Sequence, residues 1–382
     1  MLQSIRQHMG MDVAFISQFQ DGRRVFRHVE IGESSLAIKP GDSDPLEESY
    51  CLRVVDGRLP ELIPDACANV EALKLAATRA VPVGAHLSVP IQLLDGRVYG
   101  TFCCFSHRPN ITLTERDLHV MRVFADMAAS QIQTDLEQQQ ARRQVEERID
   151  AMLHADGLRM VYQPIVDVGT GRVAGFESLA RFASDPYRTP DIWFAEAGRV
   201  GRAVELESKA IRMAMTSLAD LPPNIYVTVN ASPETIVRGA LADALGGHPL
   251  ERIVVEVTEH QAIERYEDIA EAMAPLQRAG LRIAIDDAGA GYASFRHVLN
   301  LHPHIVKLDN SITRSIDVDR ARRALAAALC GFAAETGCGI VAEGVETEAE
   351  LQAVRALGIA KAQGYHLGRP MSFMDARASL LH

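Results

Sequence analysis

The chain has 382 residues, of which 47% are hydrophobic and 23% charged, an ordinary globular composition that is long enough for two separate cores. Its 39 basic and 50 acidic residues leave a net charge of −11, which opposes binding to a nucleic-acid polymer and supplies no field that would draw the chain to an anionic membrane. Six cysteines (Cys51, Cys67, Cys103, Cys104, Cys330 and Cys338) follow no metal-ligand spacing and read as reduced thiols in core packing. No signal-peptide layout or membrane-length apolar run is found, so a cytoplasmic location without a membrane span is expected.

From Met1 to about Pro109, short apolar runs alternate with Gly, Asp and Pro punctuation: DVAFISQF, RRVFRHVEI, HLSVPIQLL and RVYGTFCCFS. The last two, joined across Leu94-Asp95-Gly96-Arg97, predict a β-hairpin, and Cys103 and Cys104 should point to opposite faces of its second strand. Thr114 is placed to cap a helix opened by Glu115, Arg116 and Asp117, with Leu118, Met121, Ala125, Ala128, Ile132 and Leu136 on its apolar stripe. The polar run QTDLEQQQARRQVEERID continues that helix with a thin seam of Val145, Ile149 and Met152. Such a seam suits a rigid spacer or, preferably, half of a dimeric coiled coil, because so polar a helix has little else to bury.

After Leu158 the pattern changes to apolar runs alternating with helical stretches, which predicts parallel strands and crossover helices. The runs are RMVYQPIVD, VAGFESLARF, NIYVTVN, RIVVEVTE, LRIAIDD, HIVKLD, GIVAEGVE and AQGYHL. Eight of them in this length fit a closed (β/α)8, TIM-like barrel. The predicted division is 1–135 for an α+β sensor domain, 136–153 for a helical linker and 154–382 for the barrel.

Nearly every run is apolar until its end, where it delivers Glu177, Asn230, Glu256, Asp286 with Asp287, Lys307, Glu343 or Gln363. Strand C-termini of a barrel open onto one face, so these groups should converge. Five carboxylates against one lysine is a net charge of −4, which two divalent cations would cancel. An all-oxygen set favours Mg²⁺ or Mn²⁺ over zinc. A two-metal centre suits in-line attack on a phosphodiester. Taken singly, any of these residues fits a helix cap or a solvated carboxylate equally well; the set argues otherwise, and Asp309 and Glu346 repeat the strand-end placement. The pair His302 and His304 reads as a solvated loop, because no third ligand follows.

At these residues the sequence resembles the EAL-domain family of cyclic di-GMP phosphodiesterases. The likeness is carried by YQPIVD (162–167), FESLAR (176–181), VNASPE (229–234), EVTE (256–259), IDDAGAGYASF (285–295), VKLD (306–309), VAEGVE (341–346) and QGYHLGRP (363–370). The namesake motif reads Glu-Ser-Leu at 177–179, and Ala288 stands where the family commonly has an aromatic, in a loop that couples metal binding to dimerisation there. The resemblance implies that Glu177, Asn230, Glu256 and Asp286 hold one metal, with Asp286 bridging to a second held by Asp287 and Glu343. It assigns Lys307 to the nucleophilic water or the developing charge, Glu343 to general-base duty and Gln363 to orienting water and substrate. Arg181 is implied to contact a phosphate, Gln163 and Leu179 to line the nucleotide site, and Glu259 and Glu346 to support the loop after the fifth strand.

The implied reaction is hydrolysis of cyclic di-GMP to linear pGpG by a protein that works as a homodimer. The alternative is a silent cyclic di-GMP receptor or scaffold that signals through a protein partner; the intact acidic set favours the enzyme. The N-terminal segment resembles a GAF domain in ESYCLRVVDGRLPELIPDA (48–66) and the hairpin that follows, which implies a small-molecule sensor of unspecified ligand. Cys51 or His107 could tether such a ligand, although packing is the commoner role for both. No GGDEF-like run precedes Leu158, so a bifunctional synthase and hydrolase is not expected.

Overall fold

A computed structural model describes residues 1–32, 38–154, 157–184, 186–258, 265–288 and 292–381, except for the side chains of 287, 288 and 292–295. The chain divides into two compact units, Met1–Ala141 and Arg142–His382.

The first unit is built on an antiparallel sheet of β1 (Val13–Gln20), β2 (Arg23–Ile31), β3 (Ser43–Pro45), β4 (Leu62–Ile63), β5 (Ala85–Gln92) and β6 (Val98–Ser106), in the order β3-β2-β1-β6-β5-β4. The predicted hairpin joins β5 to β6: Leu93 N–H donates to Arg97 O at 2.9 Å and Gly96 takes a φ of 84°, which favours glycine. Strand alternation gives the sheet two apolar faces. Phe102 and Cys104 pack with Met121 and Ala125 on one face, and Cys103 and Phe105 with Tyr50, Cys51 and Val54 on the other, so the tandem cysteines do point apart. The helices are α1 (Leu2–His8), α2 (Tyr50–Val55), α3 (Val70–Leu73), α4 (Ala76–Ala80) and the 40-residue α5 (Glu115–His154).

Two local expectations change. The Thr114 hydroxyl accepts nothing from the helix; it donates to Asp117 Oδ2 at 2.8 Å, as does the Thr114 backbone N–H, so the carboxylate three residues on closes the first turn. The early part of α5 buries Leu118, Met121, Ala125 and Ala128 in the first unit, residues 137–144 are all exposed, and Ile149 and Met152 are buried in the second.

The second unit is a closed barrel of β7 (Leu158–Asp167), β8 (Val173–Phe182), β9 (Tyr226–Ala231), β10 (Ile253–Val257), β11 (Arg282–Ala288), β12 (Ile305–Leu308), β13 (Gly339–Ala342) and β14 (Lys361–Ala362). Seven of the predicted runs supply strands, and of the eighth, AQGYHL, only Ala362 does, in the two-residue β14. The expectation of uniformly parallel strands is corrected: β7 pairs antiparallel with both β8 and β14, while the other neighbours are parallel. The short Gly169–Gly171 connection after β7 allows this, because an adjacent strand reached by a tight turn must run backwards.

Period-two alternation then sorts each strand. Val227, Val229, Val255, Val257, Ile283, Ile285 and Val306 pack in the shell beneath the helices. Ile165, Tyr226, Val254, Ala284, Ile305 and Val341 form a separate apolar layer. Two residues beyond these on the parallel strands, or just past the strand for Glu343, come Thr228, Glu256, Asp286, Lys307 and Glu343, and two residues before Ile165 on the reversed β7 comes Gln163. The polar layer therefore rests on an apolar floor. The large Tyr226 ring fits there because position 175 is glycine, where a Cβ would lie 2.7 Å from the ring.

Candidate active site

Lys307 is the centre of the polar layer. Its side chain is 3% exposed, and its Nζ lies 2.7 Å from Glu343 Oε1, 2.8 Å from Glu256 Oε2, 3.1 Å from Asp286 Oδ1 and 3.5 Å from Glu177 Oε1. Three strands and the segment after β13 thus bring four carboxylates to one ammonium on a fourth strand, a surplus of three negative charges if all are ionised. Their electrostatic consequences are large. Burial opposes the charge on Lys307, but the surrounding carboxylates win and hold it well above the ordinary lysine range. Burial pushes Glu256 up to about 8, with Glu177 and Asp286 adding repulsion against the opposing pull of Lys307. Glu343 is lifted well above the carboxylate range for the same reasons, burial first.

Glu177 is placed by two amides. Gln363, just past β14, donates through Nε2 to Glu177 Oε2 and to Gln163 Oε1, the latter at 3.0 Å, while Gln163 Nε2 donates to Gly368 O at 3.1 Å. Gln163 and Glu177 are direct cross-strand partners, a consequence of antiparallel β7. In this arrangement Gln163 faces the carboxylates.

The donor set fits divalent cations. Glu177, Glu256 and Asp286 each offer an oxygen within 4.8 Å of the other two, and Glu256 Oε1 is buried without a hydrogen-bond partner among the described residues. An orphaned buried carboxylate oxygen in an all-oxygen cluster with excess negative charge is what a hard cation requires. The side chain of Asp287 lies outside the described residues, and so does Glu259.

A cleft of about 760 Å³ adjoins the layer and is lined by Leu179, Arg181, Phe194, Asn230, Glu207 and Thr258 among others. Leu179, Arg181 and Asn230 are thus together, and Arg181 is steadied by donating through Nη1 to Ala180 O at 2.8 Å. Glu207, not singled out from sequence, accepts from Ser232 N–H at 2.9 Å, Ser232 Oγ at 2.8 Å and Thr235 Oγ1 at 2.6 Å, which fixes the segment after Asn230. Its signal is weak in sequence, a glutamate among several in an amphipathic helix.

Two strand-end acids are not among the carboxylates around Lys307. Asp309 accepts from Ser311 N–H at 2.9 Å and caps the helix Asn310–Thr313. Glu346 is exposed, and no side-chain hydrogen bond or ion pair of it is found among the described residues. Its backbone N–H is instead held by Glu350, which also accepts from Ser315 N–H at 2.7 Å and completes a capping box with Thr347. Of the histidines, His107 Nδ1 bonds Val81 O at 3.0 Å and His304 Nδ1 accepts from Ile283 N–H at 3.2 Å, both structural uses.

The family model described as EAL domain matches residues 146–370, and the GAF domain model matches residues 1–132. A cyclic di-GMP phosphodiesterase of Pseudomonas aeruginosa is 29% identical over 235 residues, covering 56% of this chain and 39% of that protein. A probable cyclic di-GMP phosphodiesterase of Escherichia coli is 27% identical over 227 residues, covering 56% and 45%. The solved MucR phosphodiesterase in complex with c-di-GMP superimposes with a TM-score of 0.55 at 26% identity, over 61% of this chain and 99% of that one. The match spans only 36%, 30% and 39% of the length of the first three curated relatives. With the barrel, its carboxylate layer and the family match in agreement, the chain belongs to the EAL-domain family and carries a GAF domain before its barrel.

Proposed function

We propose that this chain hydrolyses cyclic di-GMP to linear pGpG with the help of two divalent cations, Mg²⁺ or Mn²⁺. The observation that carries the reading is the buried surplus of carboxylates around Lys307 beside a cleft that holds Arg181 and Asn230. Glu177, Asn230, Glu256, Asp286, Asp287 and Glu343 are the residues assigned to the cations, which when bound would supply Lewis-acid stabilisation of the attacking and leaving oxygens. The protein's own groups do the rest. Glu343, whose proton affinity burial raises, takes the proton of the attacking water; Lys307 offsets charge developing on the phosphoryl oxygens. Gln363 keeps Glu177 turned into the cluster, and Arg181 and Leu179 hold the dinucleotide in the cleft. One P–O3′ bond breaks as water adds to phosphorus, leaving a 5′-phosphate and a free 3′-hydroxyl.

Chromatography of cyclic di-GMP incubated with the pure protein and Mn²⁺ or Mg²⁺ tests this. Appearance of pGpG, lost in Glu177→Ala, is expected; binding without turnover would instead identify a receptor. Control by the GAF domain and homodimer formation belong to the same reading. They are checked by the activity with and without residues 1–141 and by the mass in solution.

A further inference from the structure

The core of the GAF domain contains a polar arrangement that ordinary packing does not require. Arg24 of β2 is 9% exposed, and its guanidinium stacks over Phe26 at 4.6 Å and Phe15 at 5.6 Å. Its Nε donates to Asp44 Oδ1 at 2.9 Å, and its Nη1 points the other way, 3.3 Å from Cys51 Sγ. Cys51 comes from α2 and Cys103 from β6; both are fully buried and their sulfurs are 3.5 Å apart. Hydroxyls complete the surroundings: Ser88 Oγ lies 3.0 Å from Cys103 Sγ, Cys103 donates to Thr101 Oγ1 at 3.1 Å, and Ser17 Oγ lies 3.9 Å from Cys51 Sγ.

Burying a guanidinium costs free energy unless an anion shares the site, and Asp44 covers only one edge of it. Cys51 Sγ faces the other edge at 3.3 Å, where a thiolate would meet the same cation. Burial alone would push Cys51 up, but the hydrogen bond from Cys103 and the charge of Arg24 outweigh it and bring it down to about 5, whereas burial and its neighbour drive Cys103 up. Among the described residues two further titratable groups lie on this face: His86 of β5, which burial first, and Arg24 next, hold neutral down to about 3, and Tyr50 of α2, whose phenol burial pushes up.

We propose that Cys51 and Cys103 form a dithiol oxidised by small hydroperoxides to an intramolecular disulfide, with Cys51 the attacking sulfur, Cys103 the resolving sulfur and Arg24 the cation serving the attack. In the first step Cys51 sulfur attacks the distal oxygen of ROOH, the O–O bond breaks, and RO⁻ takes a proton from water to leave as ROH, giving a sulfenic acid. In the second, Cys103 sulfur attacks Cys51 sulfur, the S–O bond breaks, and hydroxide departs with the Cys103 proton as water. The peroxide gains two electrons and the two thiols lose them. The sulfurs need approach by only about 1.5 Å to reach bonding distance. The proposal does not rest on the phosphodiesterase reading.

Two cysteines are internal controls. Cys104 is the next residue on β6, equally buried but on the opposite face, and burial pushes it up to about 12; Cys67 is exposed. The test uses the full chain carrying Cys67→Ser, treated with hydrogen peroxide, alkylated under denaturing conditions and read by peptide mass spectrometry. A linked Cys51–Cys103 peptide with Cys104 still alkylatable is expected. Cys103→Ser should stop at a sulfenic acid on Cys51 that dimedone traps. Arg24→Gln should slow oxidation at pH 7 by roughly thirtyfold or more, since a few per cent of thiolate is left at an ordinary thiol pKa and unopposed burial would push Cys51 higher still. Should Arg24→Gln fail to fold, the rate profile of the Cys67→Ser protein replaces it: a rate flat above about pH 6 supports the role of Arg24, and a rise continuing through pH 8.5 overturns it. Cys51 and Cys103 both remaining alkylatable, or Cys104 oxidising as fast, overturns the dithiol.

Discussion

Lys307 and Glu256 form a buried ion pair, Nζ to Oε2 2.8 Å, in which the other carboxylate oxygen of Glu256 has no hydrogen-bond partner among the described residues. The lysine is shared with three further carboxylates, so removing it leaves a crowd of like charges rather than one orphan. Lys307→Met is expected to abolish hydrolysis and to lower metal-free stability by about 3–5 kcal/mol at pH 8, the range for breaking a buried pair. The loss should shrink at pH 5, where the carboxylates can take up protons. Denaturant unfolding in EDTA at the two pH values checks it.

Glu256 gives the metal-free protein a stability that falls as pH rises. Its folded value, about 8, lies above its reference value of 4.5, so the stabilising proton is fully held below pH 4.5 and lost on passing through about 8. Between those limits the slope approaches 1.4 kcal/mol per pH unit from this group. Glu256→Gln should flatten the profile and raise metal-free stability at pH 8, yet abolish the gain in Tm on adding Mn²⁺. A profile in EDTA as steep in the variant as in the parent would contradict this.

At the floor of the barrel, Gly175→Ala brings a methyl group against the Tyr226 ring at 2.7 Å, and a destabilisation of about 1–3 kcal/mol is expected. Tyr226→Leu should make the same substitution cheaper, and a double-mutant cycle measures the coupling.

Arg181 lines the cleft but belongs to none of the carboxylate contacts. Arg181→Ala is therefore expected to raise KM for cyclic di-GMP tenfold or more while leaving the Mn²⁺-induced rise in Tm unchanged, a split that steady-state kinetics and thermal unfolding read separately.

The barrel and most of its site were legible because a buried strand alternates strictly: an acid two residues after an inward apolar residue, as in Val254 and Glu256 or Ala284 and Asp286, must face the same interior. Lys307 and Glu343 followed by the same rule. The reversed course of β7 was not legible, since an apolar run of that length has no direction until its partners are known. Nor was the coupling of Gln163 to Glu177, which depends on that reversal. Glu350, which no motif marked, holds the loop after β13, because a carboxylate one turn inside a helix reaches back to the backbone N–H groups before it. Arg24 was passed over for a different reason: a cation in a half-exposed strand reads as solvated until Phe15, Phe26 and Cys51 are seen around it.

The reversed first strand also decides which way the chain enters the barrel. Seven strands leave through the face that bears the carboxylates, but β7 comes in through it, so the backbone passes Gln163 only five residues after the strand begins at Leu158. One amide bridge, Gln363, then separates that doorway from Glu177. The position of that carboxylate is therefore tied to the register of the one strand that runs against the rest.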